Sequence, residues 1–213
     1  MLTNKTRVHD GRGRPRKNTL KARKVPRQAR SQETVSVILE ASARILESEG
    51  LRGFNTNLVA TKAGISVGSL YQYFPNKDAI LLALIKSFED ATQDFIIEAI
   101  RSARGRPLKA CLRVYLRALV TMHYNRPKLN RILEAEEERL GGGDEDFAFS
   151  PGLLDLLREH KSEIAIPVSA ATARVAMAII RAVVDRGLAV GTSQRSVERQ
   201  AMRAVSGFLL YKE

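Results

Sequence analysis

The stretch from Asn55 to Lys77 constrains the fold of this chain more than any other. Its first part has an N-cap residue at Asn55 and a glycine, Gly64, where helices commonly end in the left-handed conformation. Its second part begins at a capping Ser66 and stops before Pro75, because proline disfavours a helical residue before it. The stretch therefore predicts two short helices around a tight turn, which is the shape of a helix-turn-helix.

The second predicted helix has one side that suits the major groove of DNA. Leu70 and Phe74 share its apolar side and are predicted to be buried. Hydroxyl groups on the other side can reach base edges or phosphates, and Val67 can touch a thymine methyl group. A helical hairpin can also be purely structural, so this pattern alone leaves both interpretations open.

The next predicted helix starts with Asn76 as its cap and Lys77 in its first turn. A positive side chain is slightly unfavourable there, because a helix N-terminus already carries partial positive charge. The lysine is explained if this terminus meets a phosphate group. A solvated lysine without a role is the alternative.

At these residues the chain resembles the DNA-binding domain of TetR/AcrR-type transcriptional regulators. The resemblance covers residues 31–91 and includes Val59-Ala60, Ala63-Gly64-Ile65-Ser66, Gly68-Ser69-Leu70-Tyr71-Gln72-Tyr73-Phe74 and Asn76-Lys77. It implies that the second helix and its flanks hold DNA. The DNA-binding residues it indicates here are Asn55, Asn57, Ser66, Val67, Gly68, Ser69, Tyr71, Gln72, Tyr73 and Lys77. The resemblance does not predict which bases are preferred.

Positive charge is concentrated at the start of the chain. The net charge is +12, and residues 1–30 hold 11 Lys or Arg against the single acid Asp10. The remaining residues are nearly balanced, with 24 bases and 22 acids. A basic arm of low hydrophobicity on a nearly neutral body indicates a disordered segment that binds a polyanion. Nucleic acid is favoured over a membrane, because the arm lacks large apolar residues at helical spacing.

Within this arm, residues 11–17 (GRGRPRK) resemble an AT-hook. In that motif an Arg-Gly-Arg-Pro core lies extended in the narrow minor groove of A·T-rich DNA, where negative potential is concentrated. The predicted contacts are Arg12, Arg14 and Arg16, followed by Arg27 and Arg30 before the first helix. Diffuse phosphate contacts by a solubilising tail are the alternative.

The periodicity of the rest of the chain is helical, and we predict an all-α fold without a sheet. We expect a basic arm at residues 1–30, a three-helix helix-turn-helix domain at 31–91, and a helical effector-binding and dimerisation domain at 92–213. One long amphipathic helix, from Asp78 to about Ser102, is predicted to join the two domains. The resemblance implies that this helix connects an effector site to the DNA site.

The last two predicted helices carry long apolar stripes, which are either ordinary core or a subunit interface. In the resembled family this pair packs against its copy as a four-helix bundle, and two-fold symmetry lets two recognition helices grip successive major grooves. We therefore predict a homodimer. Its predicted interface residues are Val175, Ile179, Val183, Val197, Ala201, Val205 and Phe208.

The resemblance also implies a small effector bound inside the second domain. The aromatic and methionine-rich residues there suit an apolar or aromatic molecule, although each can also be simple core. The predicted lining is Phe95, Tyr115, Leu119, Met122, His123, Phe147, Phe149 and Met177.

Catalytic and metal-binding patterns are absent from the sequence. The histidines His9, His123 and His160 lie far apart, and no nucleotide-binding or nucleophile motif occurs. The acidic residues of 134–146 are expected to form a solvated face. Cys111 is the only cysteine, which suits a reducing compartment and a role in the core. No cofactor and no membrane span are predicted, and we expect a cytoplasmic protein.

The sequence thus predicts a dimeric regulator of transcription, a repressor released from a palindromic operator by an effector. An architectural protein that coats A·T-rich DNA without a single operator is the alternative.

Overall fold

The computed structural model describes residues 29–141 and 151–211. Within them the chain forms nine α-helices and one short 3-10 helix, without a strand, as the periodicity predicts. The helices are α1 (Ala29–Gly53), α2 (Thr56–Lys62), α3 (Val67–Tyr73), α4 (Lys77–Ser102), α5 (Leu108–Asn125), α6 (Pro127–Arg139), α7 (Pro151–Glu159), α8 (Ala170–Ala189) and α9 (Gln194–Leu210), with the 3-10 turn at Lys161–Glu163.

The caps that the sequence predicts for the helix-turn-helix are all formed. The backbone N–H of Leu58 donates to Asn55 Oδ1 at 2.9 Å, which caps α2. Ser66 Oγ accepts from the N–H of Ser69 at 3.0 Å, which caps α3. Gly64, between the two helices, has φ +67°, a conformation that costs glycine little. Local hydrogen bonds therefore define both ends of the turn.

A first hydrophobic core lies under α1 to α4. Helix α1 contributes Ile38, Ile45 and Leu46, and α3 contributes Leu70. Gly50, at φ +70°, breaks the regular geometry of α1, and one further turn follows. This core holds α3 by its Leu70 side, and Val67, Gly68, Tyr71 and Gln72 on the other side are exposed.

Helix α6 completes this first core although it comes much later in the chain. Its Leu129 and Leu133 are buried in the same cluster as Ile38 and Leu70. The domain boundary after residue 91 remains a prediction. The packing of α6 nevertheless ties the helix-turn-helix directly to the second half of the chain.

A second core forms around α5 and includes α7, α8 and α9. Tyr115 and Leu116 of α5 are buried in it, as are Ile180 of α8 and Val205 of α9. Gly187 brings α8 and α9 close together, since a Cβ atom added there would lie 2.2 Å from Val197 Cγ2. Cys111 is buried in this core, as predicted.

The predicted dimer interface is wrong for three residues of α9. Val197, Ala201 and Val205 are fully buried within a single chain, because they face α5 and α8. A second subunit therefore has no access to them. On α8, by contrast, Val175 is 46 % exposed, and Ile179 and Val183 are half-buried. Phe208 of α9 is also half-buried.

The acidic helix α6 is only partly the solvated face that the sequence suggests. Glu136 is buried, and Arg139 Nη2 lies 2.7 Å from its Oε2 atom and 2.8 Å from Asp78 Oδ1 on α4. This carboxylate is thus part of the contact between α6 and α4. Among the residues of both described ranges, no group of three or more potential metal ligands occurs.

Candidate nucleic-acid interface

Helix α3 turns its polar side to solvent, as predicted. Val67 is 38 % and Tyr71 40 % exposed, while Leu70 on the other side is fully buried. Gly68 and Gln72 are also exposed. This surface combines a methyl-bearing, a hydroxyl-bearing and an amide side chain, which are the groups that can contact base edges.

Two hydrogen bonds preorganise this surface. The hydroxyl groups of Ser66 and Ser69 lie 2.8 Å apart at the start of α3. The Tyr71 hydroxyl lies 3.2 Å from Thr56 Oγ1 at the start of α2. Thr56 is not among the residues the sequence indicates, because only the fold brings it to Tyr71. The predicted residues Asn55 and Asn57 are exposed on the same element as Thr56 or directly before it.

In the part of the chain that the structure describes, nothing packs closely against Gly68. A Cβ atom added there would have Ser66 Oγ, at 3.9 Å, as its nearest neighbour. Glycine inside a helix costs about 1 kcal/mol relative to alanine. An exposed glycine with free space around it is explained if a partner surface approaches the backbone closely.

The N-terminus of α4 lies shortly after α3 in the chain. Asn76 Oδ1 accepts the N–H of Ala79 at 2.8 Å, and Lys77 is exposed at the first helical position. The 26 residues of α4 give it a full dipole. Together the dipole and the ammonium group suit a phosphate. Tyr73, a further predicted phosphate contact, is half-buried.

The predicted contacts in the arm cannot be placed. Arg12, Arg14, Arg16 and Arg27 lie outside the described residues, as does the side chain of Arg30.

An ion pair and a further hydrogen bond fasten the start of α6 to α1. Arg126, which precedes α6, donates to both carboxylate oxygens of Glu47 at 2.8 and 2.7 Å. Lys128 also donates to the backbone carbonyl of Glu47. The Arg126 guanidinium lowers the pKa of Glu47. A bidentate pair of this kind fixes orientation as well as position.

A pair of carboxyl groups meets where α4 packs on α6. Burial, followed by the nearby Glu137, raises the pKa of Glu89 to about 7. Because the folded-state pKa is raised, the folded chain favours protonated Glu89. Its contribution to stability is complete below the unfolded pKa near 4.5 and is lost as pH rises through about 7.

Glu89→Gln should therefore flatten the pH dependence of stability. Relative to wild type, we expect this variant to gain about 1 kcal/mol between pH 5 and pH 8, since solvent screening reduces the full value of the shift. Urea unfolding at both pH values measures this gain. Glu138→Gln, on the exposed side of α6, is the control, and parallel curves for wild type and Glu89→Gln would contradict the prediction.

The predicted effector residues fall into three groups. Tyr115, Leu119 and Met177 are buried in the second core, with Met122 and His123 half-buried beside them. Phe95 lies outside this packed group and is 46 % exposed on α4. Phe147 and Phe149 lie outside the described residues. An open groove of about 490 Å³ runs along α1 instead, and none of the predicted effector residues lines it.

A capped helix-turn-helix with an exposed polar recognition helix, mounted on a second helical core, defines a class of DNA-binding proteins. Comparison with known families agrees with this class. Residues 38–84 match the model for bacterial regulatory proteins of the tetR family, and residues 107–209 match the model for a tetracyclin repressor-like C-terminal domain. The chain belongs to the TetR family of transcriptional regulators.

Solved structures with the same fold include a TetR-family regulator from Marinobacter aquaeolei, at 23 % identity and a TM-score of 0.64, covering 86 % of this chain and 98 % of the other. A second, from Mesorhizobium loti, has 19 % identity and a TM-score of 0.70, covering 85 % and 97 %. At these identities the likeness concerns the fold alone. This family and fold are those of regulators, which are typically not enzymes.

The curated relatives include the nucleoid occlusion factor SlmA of Haemophilus ducreyi, 29 % identical over 111 residues, covering 52 % of this chain and 54 % of the relative. The SlmA of Idiomarina loihiensis is 30 % identical over 129 residues, covering 57 % and 65 %. The chain thus spans little more than half the length of these relatives. In the described part of the chain, no helix is long and apolar enough to span a membrane.

Proposed function

We propose that this protein is a dimeric repressor that binds a two-fold symmetric operator through α3 and is released by a small apolar or aromatic effector. The observation that carries this proposal is the exposed surface of Val67, Tyr71 and Gln72 on α3, where the Tyr71 hydroxyl is held by Thr56. Repression follows if the bound protein occludes a promoter.

The corrected dimer surface consists of the outward sides of α8 and α9. TetR-family regulators dimerise, and among the exposed charged residues these sides carry a set that is small or apolar: Ala171, Val175, Ala178, Ile179, Ala182, Ala204, Gly207 and Phe208. Small residues allow two helix pairs to approach closely. A two-fold dimer then presents two α3 helices to half-sites about 34–36 Å apart.

The effector is expected among Tyr115, Leu119, Met122, His123 and Met177. Tyr115, Leu119 and Met177 are buried in the second core, and all of these residues except Met177 lie on α5, the helix that leads into α6. Because α6 also completes the first core, a ligand that moves α6 would move the base of the helix-turn-helix. Only a ligand that binds the DNA-bound and DNA-free geometries of the protein with different affinities shifts the equilibrium between them.

Selection of random duplexes by the full-length protein at near-physiological salt, followed by sequencing of the bound pool, tests the proposal. A two-fold symmetric motif is the expected result. Enrichment of A·T content without a motif would instead support the architectural alternative, to which the SlmA relatives give weak support. Tyr71→Ala is the matched variant, and it should lose the motif while keeping non-specific binding.

Gly68→Ala should raise the stability of the protein but weaken its binding to DNA. We expect the free energy of unfolding to rise by about 0.5–1 kcal/mol, because alanine favours the helix and the site is open. Operator affinity should fall at least tenfold if DNA approaches this backbone, and fluorescence anisotropy measures this. Ser36→Ala, an exposed helical change on α1, should leave affinity unchanged. Unaltered binding by Gly68→Ala would show that no close approach occurs.

A further inference from the structure

Helix α5 exposes only a narrow strip of its surface. It is buried or half-buried at every position except Lys109, Arg113, Arg117 and its last residue, Asn125. The three basic residues are spaced by four, so they form a row with a rise of about 6 Å between neighbours. No Asp or Glu occurs in α5. Helix α5, although largely buried in the second core, thus exposes a continuous row of positively charged side chains to solvent.

A second row lies beside the first on α9. The two helices run antiparallel, since Arg117 Nε lies 3.7 Å from Glu198 Oε2 and Gln194 donates to Thr121 at 2.8 Å. Arg195 and Arg199 are exposed within one turn of Glu198. The five residues Lys109, Arg113, Arg117, Arg195 and Arg199 are called the basic face below.

The basic face is largely unneutralised. Glu198 is the only acid of α9, its side chain is 18 % exposed, and it pairs with Arg117. For the other four residues, no carboxylate of the described chain lies within the 4 Å of an ion pair. Several like charges gathered on one surface create a positive electrostatic potential. This surface is therefore suited to an anionic partner.

The chemistry of this face favours a phosphate backbone. Four of its five residues are arginines, whose guanidinium groups bind phosphate oxygens in a bidentate manner. None of the exposed large apolar side chains among the described residues lies on α5 or α9. Proteins that bind a membrane surface normally insert exposed apolar side chains, and protein–protein interfaces normally contain aromatic anchors. The basic face has neither feature.

The position of the face indicates a duplex other than the one at α3. Helix α4 is 26 residues long, which separates its DNA-facing Lys77 from its far end by about 39 Å. Helix α5 starts at that far end, after the turn at residues 103–107. Lys109 and Arg113, in the first turns of α5, therefore lie near the end of α4 that is remote from Lys77, which favours a duplex other than the one held by α3.

We propose that the basic face binds the phosphate backbone of a second DNA duplex without reading its sequence, so that the protein bridges two DNA segments. This inference rests on the proposed binding of DNA by α3. It adds to that function a sequence-independent site on the second core.

A two-step capture experiment with the full-length protein tests this proposal. A duplex from the selected pool is fixed to beads, the protein is bound to it, and retention is measured. A labelled G·C-rich duplex, which the AT-hook-like segment does not favour, is then added as the probe. We expect the wild-type protein to capture the probe, with a steep dependence on salt.

The variant carrying Lys109→Gln, Arg113→Gln, Arg195→Gln and Arg199→Gln leaves the Arg117–Glu198 pair intact. It should be retained by the first duplex like wild type but capture at least tenfold less of the probe. The matched control removes one lysine and three arginines that are exposed on other helices, with Lys86→Gln, Arg101→Gln, Arg131→Gln and Arg158→Gln, and should capture it normally.

Equal capture by the two variants would overturn the bridging proposal. So would capture of phosphatidylglycerol vesicles in place of the duplex, which would make the face a membrane site. If the first duplex does not retain the wild-type protein, the function proposed for α3 is refuted instead. The retention measured in the first step distinguishes this outcome from a failure of the bridging proposal.

Discussion

Gly187→Val is expected to lower the free energy of unfolding by about 3 kcal/mol. Gly187 is buried where α8 crosses α9, and even a single added Cβ atom would lie 2.2 Å from Val197 Cγ2 and 3.1 Å from the Tyr124 hydroxyl. Val197 is β-branched and fully buried, so it cannot rotate away. Overpacking of this kind typically costs 1–3 kcal/mol, and valine adds two further methyl groups.

Urea unfolding of Gly187→Ala and Gly187→Val measures this effect, with alanine expected to cost about half as much. Gly68→Ala is the control, because it makes the same exchange in a helix with open space. In the double variant Gly187→Ala/Val197→Ala, the loss should be smaller than the sum of the two single losses, since the clashing methyl group is gone. A Gly187→Val protein as stable as wild type would show that the two helices do not meet as closely as described.

Deleting residues 1–25 should weaken binding to every DNA sequence and flatten its dependence on salt. The deleted segment carries nine of the 11 bases of residues 1–30. Each phosphate contact that is lost should reduce the slope of log K against log salt by about 0.9, and affinity should fall at least tenfold near physiological salt. Titrations at several salt concentrations measure the slope, and an unchanged slope would exclude contact between arm and DNA.

A finer comparison separates a minor-groove contact from diffuse attraction. Changing Arg12, Arg14 and Arg16 to glutamine should abolish any preference for A·T-rich flanks, because the narrow groove is read by these arginines. Changing Lys21, Arg23 and Lys24 to glutamine removes the same charge outside the hook-like segment. If both variants lose affinity equally and neither alters the flank preference, the arm binds phosphates only.

Much of the proposed DNA-binding surface follows from signals within a few residues of one another. Asn55, Ser66 and Asn76 each cap a helix through an N–H group three residues later, so sequence alone locates α2, α3 and the start of α4. The period of the apolar residues likewise predicts that Leu70 is buried. The hydrogen bond between Tyr71 and Thr56 cannot be predicted in this way, because these residues lie 15 positions apart.

The sequence by itself determined the helices, their caps and the family, because these depend on local hydrogen bonds and on a short motif. Tertiary structure decided which side of each C-terminal helix faces inward. Helices α8 and α9 are apolar or small on more than one side, and packing on α5 buried Val197, Ala201 and Val205 while leaving Val175 outside. Tertiary structure likewise brought Arg117 of α5 beside Glu198 of α9, since charges far apart in sequence form one surface only when their helices pack together.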